Sequence, residues 1–160
     1  FNHQMGETFV LPEAKIAEDI MIIPGTDGEK MSKSRNNFIN LFLDDKALRK
    51  QIMSIETDSM PLEEPKNPET CNVFALYKLL GSAEEVTLMK NNYLAGNYGY
   101  GHAKQALYEL VLEKFKTPRE KYHYYINNLA EIDRALEIGA QKARNKANEV
   151  LQRVREKLGY

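Results

Sequence analysis

The sequence contains a single cysteine, Cys71, among its 160 residues. A lone cysteine cannot form a disulfide within the chain, and it cannot build a thiolate cage around a metal ion. Sparse cysteine is typical of proteins in a reducing cytosol, where disulfides are rare. We therefore expect a cytoplasmic location, with Cys71 as a small core or loop residue.

Long apolar runs and secretory features are also missing. The apolar run at residues 20–24 is far too short to span a bilayer, which takes about 20 residues. The first residues show no charged region followed by an apolar stretch, as a secretory signal would. His102 and His123 have no companions at the spacing of metal ligands. We therefore expect no membrane association and no resident metal.

The charges nearly balance, because the formal net charge at pH 7 is −1. This value argues against a general nucleic-acid binder. The charges are unevenly distributed, however: residues 1–113 carry −6 and residues 114–160 carry +5. The basic end is the expected place of contact with a phosphate backbone. A composition of 42% hydrophobic and 28% charged residues is typical of a globular domain with its own core.

The most informative stretch is Lys30-Met31-Ser32-Lys33-Ser34, which follows an apolar run and the glycine-containing turn at residues 24–29. Two ammonium groups alternate here with two hydroxyls. Lysines supply compact positive charge, and hydroxyl and loop N–H groups donate hydrogen bonds to phosphate oxygens. Gly25 and Gly28 allow such a loop to change conformation. The spacing favours a mobile loop that binds a nucleotide polyphosphate, and a solvated basic turn is the alternative.

The pentapeptide at residues 30–34 matches the KMSKS signature of the class I aminoacyl-tRNA synthetases. Four further segments resemble the tryptophanyl members of that class, with the tyrosyl members as the close alternative; they are residues 1–16, 57–59, 139–144 and 154–159. The second signature of the class, H-x-G-H, is missing. Residues 99–102 lack its first histidine and follow KMSKS instead of preceding it. The resemblance implies that roughly half of the enzyme precedes Phe1 and that this chain alone is inactive.

The resemblance implies a tryptophan–tRNA ligase, which joins tryptophan to the α-phosphate of ATP, releases pyrophosphate and passes the acyl group to tRNA(Trp). Lys30 and Lys33 are the implied catalytic residues. The implied ATP-binding residues are Ile20, Met21, Lys30, Met31, Ser32, Lys33 and Ser34. Mg²⁺ would be held through the ATP phosphates, and the intact enzyme would be a homodimer. The alternatives are a tyrosine–tRNA ligase and a non-catalytic helical tRNA-binding module.

The expected fold is mainly α, in two parts. Residues 1–43 would be the C-terminal edge of a Rossmann-like α/β catalytic domain, with a buried strand at residues 20–23 that leads into the loop. The pattern becomes helical from residue 44, and the resemblance implies that residues 44–160 are an all-helical domain of the anticodon-binding type. Ligands bind at the carboxyl ends of strands in open α/β sheets, so the loop would start from the correct edge.

The helical part carries clear local signals in its first half. Asp44 or Asp45 can cap a helix, and a proline-rich connection follows at residues 55–71. Asn72 is predicted to cap a helix over residues 73–80, and Ser82 opens the next helix with a capping box. Residues 91–101 are predicted to be an irregular loop. Three tyrosines lie in that loop and either pin it to the domain or form a platform for bases; they are Tyr93, Tyr98 and Tyr100.

The second half is predicted to contain three helices. Apolar residues at helical spacing over residues 103–115 indicate a core-facing stripe. Thr117 and Pro118 predict the start of a second helix. Residues 129–158 form one long apolar stripe, which Gly139 is expected to bend or divide. Basic residues on the last two helices are the predicted tRNA contacts, with a solvated face as the alternative; they are Arg119, Lys121, Lys142, Arg144 and Lys146.

Overall fold

The computed structural model describes residues 1–15 and 22–160. The helices in these residues are α1 (Asn2–Met5), α2 (Asp45–Met53), α3 (Asn72–Leu80), α4 (Ala83–Ala95), α5 (Tyr100–Lys114), α6 (Lys116–Ile126) and α7 (Leu129–Leu158), with a 3₁₀ turn at Pro68–Thr70. The described residues contain no β-strand, only an isolated antiparallel bridge between Pro24 and Lys30. The mainly α prediction is confirmed. Within the described ranges, no helix is long and apolar enough to cross a membrane.

The chain divides into two compact units, and the division falls within α6. One unit comprises Glu18–Tyr122, and the other combines Phe1–Ala17 with His123–Tyr160. The first unit contains the loop of interest and all the helices that form the buried core. The second unit consists mainly of α7.

The core of the first unit is built around α5, which packs against α2 and α3. Ala103, Leu107, Leu110 and Val111 are the buried residues of α5, as its helical spacing predicted. They meet Leu48 and Ile52 of α2 and four residues of α3, namely Val73, Phe74, Leu76 and Tyr77. Burial of a large apolar side chain stabilises a fold by about 1.5–3 kcal/mol. This cluster therefore provides most of the rigid body on which the loop rests.

Two helix starts follow the predicted capping chemistry. Asp44 caps α2, because its carboxylate accepts a hydrogen bond from the Ala47 N–H at 2.9 Å. Ser82 and Glu85 form the capping box of α4: the Glu85 N–H donates to the Ser82 hydroxyl, and the Ser82 N–H donates to the Glu85 carboxylate at 2.7 Å. These local contacts satisfy N–H groups that have no partner inside a helix.

Other predicted boundaries are wrong. Asn72 is the first residue of α3, not its cap, because its side chain donates to the Glu56 carbonyl at 3.2 Å. α6 begins at Lys116, so Thr117 lies inside the helix. α7 continues through Gly139 without division, and the alternative, a bend at Gly139, stays a prediction. A glycine costs only about 1 kcal/mol in a helix interior, which a 30-residue helix can sustain.

The predicted loop at residues 91–101 is mostly helical. α4 extends to Ala95, and only residues 96–99 separate it from α5. Tyr93 is fully buried, its hydroxyl lies 3.3 Å from the Cys71 sulfur, and its ring contacts Tyr98 and Tyr100. Burial of Tyr93 outweighs the weak helix propensity of the Asn-Tyr sequence around it. The tyrosines therefore pin this segment to the core and do not form an open platform.

The predicted buried strand is also wrong in its described part. Residues 20 and 21 lie outside the described residues. Ile22 and Ile23 belong to no strand and expose 63% and 44% of their surface. Within the described residues they have no neighbouring strand; the Ile23 carbonyl accepts a single bond from the Met31 N–H, beside the isolated bridge between Pro24 and Lys30. A strand without a partner leaves its ladder hydrogen bonds unmade.

In the second unit, the N-terminal segment contacts α7. The Asn2 side chain accepts hydrogen bonds from the N–H groups of Thr8 and Phe9, and so closes a turn around α1. The Arg153 guanidinium donates to the Thr8 carbonyl at 3.3 Å. Phe9 borders an open groove on α7, which is lined mainly by small and apolar residues. α7 ends at Gly159.

Candidate functional site

The loop around the KMSKS residues begins with a closed turn. The Gly25 N–H donates to the Glu29 carbonyl at 2.7 Å, and the Met31 N–H donates to the Ile23 carbonyl at 2.9 Å. These bonds hold the two arms of the turn side by side and bring Lys30 next to Pro24. The predicted glycine-containing turn at residues 24–29 is thus confirmed, and it sets where the first lysine lies.

The two lysines of the loop present free positive charge. Lys30 and Lys33 are both exposed. In the described part of the chain, neither ammonium group forms a salt bridge. Unpaired ammonium groups on an exposed loop can bind phosphate oxygens without first breaking an internal ion pair.

The serine hydroxyls lie together between the lysines and the end of the loop. The hydroxyl oxygens of Ser32 and Ser34 are 3.1 Å apart, and the Arg35 N–H donates to the Ser32 hydroxyl at 3.2 Å. Arg35 also forms an exposed ion pair with Glu29 at 3.5 Å. Exposed pairs of this kind contribute little to stability, about 0–1 kcal/mol. The segment therefore offers two hydroxyls and two lysines on a short stretch of backbone.

Asn37 is the residue that the sequence analysis missed. Its side chain is 3% exposed, and its carbonyl oxygen accepts a hydrogen bond from the Ser32 N–H at 2.8 Å. Its amide nitrogen donates to the Asp27 carboxylate at 2.7 Å and to the Lys30 carbonyl at 3.2 Å. Its sequence signal is only that of a turn, because an Asn that bonds to distant backbone looks the same as one that faces water.

Asp27 is the acidic partner in this network. The hydrogen bond from the Asn37 amide, the largest cause, holds the pKa of the Asp27 carboxyl below its ordinary value, and the Glu29 N–H acts in the same direction. The carboxylate also accepts that N–H at 3.0 Å. Asp27 therefore remains ionised and accepts hydrogen bonds at neutral pH.

The two glycines of the turn are required for different reasons. A Cβ on Gly25 would lie 2.4 Å from the Asn37 amide nitrogen, so only glycine leaves room for that side chain. Gly28 has a φ of +79°, in the left-handed region, and a Cβ there would lie 2.7 Å from the Asn72 side chain. Gly25 thus serves close packing in this conformation, and the movement that both glycines would allow stays a prediction.

The turn rests on the helical core through backbone and apolar contacts. The Glu56 N–H donates to the Thr26 carbonyl at 2.7 Å, and the Glu56 carbonyl accepts from Asn72 of α3. Met31 packs against the core beside Ile39 and Leu41. The base of the loop is therefore fixed to a packed body, while its two lysines are exposed.

The remaining predicted ligands are located as follows. Ile20 and Met21, predicted to flank adenine, lie outside the described residues. The described residues contain no group of three or more His, Cys, Asp or Glu side chains that could hold a metal ion. His102 lies in the first turn of α5, where its Nδ1 accepts a hydrogen bond from the Gly99 N–H.

The five predicted tRNA contacts differ in how available they are. Arg119 is 8% exposed, and its guanidinium donates to the Leu41 carbonyl and to the Asp45 carboxylate. Lys121 is exposed on α6. The other three are exposed on α7; they are Lys142, Arg144 and Lys146.

Helix geometry separates the three basic residues of α7. Lys142 and Lys146 are four positions apart and share one side of the helix. Arg144 lies about 200° around the helix axis from Lys142. Lys146 also forms an exposed ion pair with Glu149 at 2.7 Å. The three residues therefore do not form a single basic face.

Comparison with known proteins relates this geometry to a family. A family profile described as tRNA synthetases class I (W and Y) matches residues 1–116. The tryptophan–tRNA ligase of Fusobacterium nucleatum is 48% identical over 160 residues, which are 99% of this chain and 49% of that protein. The tryptophan–tRNA ligase of Pseudomonas aeruginosa is 41% identical over 162 residues, which cover 99% of this chain and 36% of that protein.

A solved structure gives the same relationship in three dimensions. Tryptophanyl-tRNA synthetase from Campylobacter jejuni, crystallised with ADP and tryptophan, matches 99% of this chain and 50% of its own length with a TM-score of 0.86 and 44% identity. The chain spans about half the length of this structure and at most about half that of the curated relatives above. Because the family profile covers most of its residues, the chain belongs to the class I tRNA synthetases of the tryptophanyl and tyrosyl family.

Proposed function

We propose that the protein to which this chain belongs is a tryptophan–tRNA ligase, which activates tryptophan with ATP and transfers it to tRNA(Trp). The observation that carries the proposal is the KMSKS loop, with two exposed lysines and two neighbouring serine hydroxyls on a fixed base. The matching relatives bear the name tryptophan–tRNA ligase. The whole reaction is proposed for the full-length protein, since this chain spans about half of those relatives or less.

In the proposed reaction, the tryptophan carboxylate attacks the α-phosphate of ATP and pyrophosphate leaves. Negative charge builds on the leaving group as the bond to the α-phosphate breaks. Lys30 and Lys33 would bind the β- and γ-phosphates and stabilise that charge, and Ser32 and Ser34 would donate hydrogen bonds to the same oxygens. Loss of one donor of this kind typically costs about 3–4 kcal/mol of transition-state stabilisation.

Met31, Ile20 and Met21 complete the proposed nucleotide site. Met31 packs against the core, and we propose that it lies near the nucleotide through its backbone. Ile20 and Met21 are proposed to flank adenine. Mg²⁺ is proposed to be held through the ATP phosphates, because the described residues offer no acidic cluster for it.

The tRNA contacts are proposed for Lys121, Lys142, Arg144 and Lys146. Their exposure and the net charge of +5 over residues 114–160 support this proposal. The guanidinium of Arg119 is engaged with Leu41 and Asp45, so we assign that residue a structural role.

The wider organisation is proposed from the family. Residues 1–43 would belong to the Rossmann-like catalytic domain, and residues 44–160 to a helical domain that meets tRNA. The full-length enzyme would act as a homodimer in the cytoplasm.

A tyrosine–tRNA ligase is the second candidate, because the matching family profile covers both tryptophanyl and tyrosyl enzymes. The two differ in the pocket for the amino acid side chain, and the chemistry of the loop is the same in both. ATP–pyrophosphate exchange by the full-length protein, measured with tryptophan and tyrosine in parallel, separates them. Exchange with tyrosine alone would overturn the tryptophan assignment. Exchange with neither, together with salt-sensitive tRNA binding, would favour a non-catalytic RNA-binding module.

Replacing Lys33 by alanine tests the role of the loop. We expect kcat for exchange to fall about 100- to 1,000-fold, with little change in tryptophan affinity, because the ammonium acts on charge that develops in the transition state. Lys46→Ala is the matched control, since Lys46 is an exposed lysine of α2 that forms no salt bridge within the described residues. Equal exchange rates in the two variants would exclude the proposed role of Lys33.

A further inference from the structure

The network around Asn37 connects parts of the loop that are separated in sequence. Through its side chain, Asn37 reaches Asp27 in the incoming turn, and Lys30 and Ser32 in the KMSKS segment. Its main-chain carbonyl accepts a fourth bond, from the Thr26 N–H at 2.8 Å. One buried residue therefore joins both arms of the turn to the backbone between the two lysines.

Only a side chain with both a donor and an acceptor can make these bonds. The amide nitrogen of Asn37 uses its two hydrogens on two oxygens, and the amide oxygen accepts from a backbone N–H. An aspartate at this position would keep the acceptor but would place a carboxylate against the Asp27 carboxylate and the Lys30 carbonyl. An alanine would remove the partner of the part-buried Ser32 N–H and Lys30 carbonyl, whereas the Asp27 carboxylate would keep the bond from the Glu29 N–H. The cost of about 1–3 kcal/mol for a buried group left unsatisfied is an upper bound for these part-buried groups.

Gly25 supplies independent evidence that the position of Asn37 is tightly defined. The space that a Cβ on Gly25 would need is filled by three atoms of Asn37, all within 2.6 Å. Real Cβ atoms do not approach other atoms so closely, so a side chain at position 25 would displace Asn37. The glycine and the asparagine form an interlocked pair.

We propose that Asn37 is a positioning residue, which holds the backbone of residues 30–32 in the conformation that presents the phosphate-binding groups. It does not touch the phosphates itself. The lysine side chains are long and flexible, so the backbone conformation decides where their ammonium groups can reach. This inference rests on the proposed function, and it adds to it a residue outside the KMSKS pentapeptide.

Three variants of the full-length protein test the proposal. Asn37→Asp removes the two hydrogen bonds that the amide nitrogen donates, with almost no change in side-chain shape. Gly25→Ala adds a Cβ that would displace the Asn37 side chain. The double variant Asp27→Asn with Asn37→Asp reverses donor and acceptor and restores the bond between the two side chains, but not the bond to the Lys30 carbonyl. Asn91→Ala is the control, because Asn91 is exposed on α4.

The first measurement is ATP–pyrophosphate exchange. We expect both single variants to lower kcat about 10- to 100-fold, as is typical of misplaced catalytic groups, with an unchanged KM for tryptophan. We expect the double variant to regain only part of that loss, because an aspartate at position 37 still faces the Lys30 carbonyl. A purely structural role would lower the amount of folded enzyme and would leave kcat per folded molecule unchanged. Wild-type kcat per folded molecule in Asn37→Asp would overturn the proposal.

The second measurement does not depend on activity. The loop contains three trypsin sites, Lys30, Lys33 and Arg35. We expect Asn37→Asp to be cleaved there at least about tenfold faster than wild type, because local opening exposes backbone to the protease. Unchanged cleavage would refute the positioning role even if exchange had fallen. Wild-type protein that shows no exchange would refute the proposed function, and the cleavage rates would still test whether Asn37 orders the loop.

Discussion

Replacement of Arg119 by methionine is expected to destabilise the fold by about 2–3 kcal/mol. The side chain of Arg119 is 10% exposed, and the paired Asp45 carboxylate is 67% exposed, at a distance of 2.5 Å. Water screens that ion pair, so it contributes about 0–1 kcal/mol. The bond to the Leu41 carbonyl is charge-assisted and part-buried, and loss of such a bond costs about 1.5–3 kcal/mol. Methionine keeps most of the apolar stem, so packing changes little.

Urea unfolding followed by circular dichroism measures this loss. Lys121→Met is the matched control, because Lys121 is two positions away on α6 and exposed. We expect its stability to change by about 0.5 kcal/mol or less. A double-mutant cycle with Asp45→Asn isolates the contribution of the ion pair. Arg119→Met that is as stable as the control would refute the structural role, and a coupling energy above about 1 kcal/mol would refute the screening argument.

Two further predictions concern the segment before α3. Lys66 is 2% exposed, and its ammonium donates to three carbonyls, those of Pro61, Leu62 and Glu64. We therefore expect Lys66→Met to destabilise the fold by about 2–4 kcal/mol in the same urea assay. A loss of stability below about 1 kcal/mol would contradict this expectation. The Tyr100 hydroxyl, donating at 2.6 Å, is the main cause that holds the pKa of Asp58 below 3.8. The stability difference between wild type and Tyr100→Phe should therefore be fully present above about pH 4 and should shrink as the pH falls through the lowered pKa; a constant difference would exclude this linkage.

Local chemistry accounts for the parts of the fold that were predicted correctly. The cap at Asp44 and the capping box at Ser82 act within three residues, so the sequence is sufficient to identify them. The apolar stripe of α5 follows helical spacing, and its members are the buried ones. Helix boundaries that depend on a contact with a residue distant in sequence were predicted wrongly. Tyr93 draws the end of α4 into helix by its burial, and Asn72 bonds to Glu56 instead of capping α3.

For the candidate site, the sequence by itself determined the residue types and their order. The short motif that contains Lys30, Ser32, Lys33 and Ser34 predicts phosphate binding, and the same motif indicated the family. Only the tertiary structure decided how that motif is held. Asn37 and Gly25 are twelve residues apart in sequence yet pack closely together. The hydrogen bonds that join Asn37 to Asp27, Lys30 and Ser32 cannot be distinguished from two ordinary turns in the sequence. The same holds for Arg119, because the sequence does not distinguish an arginine that is buried and bonded to a carbonyl from one that contacts RNA.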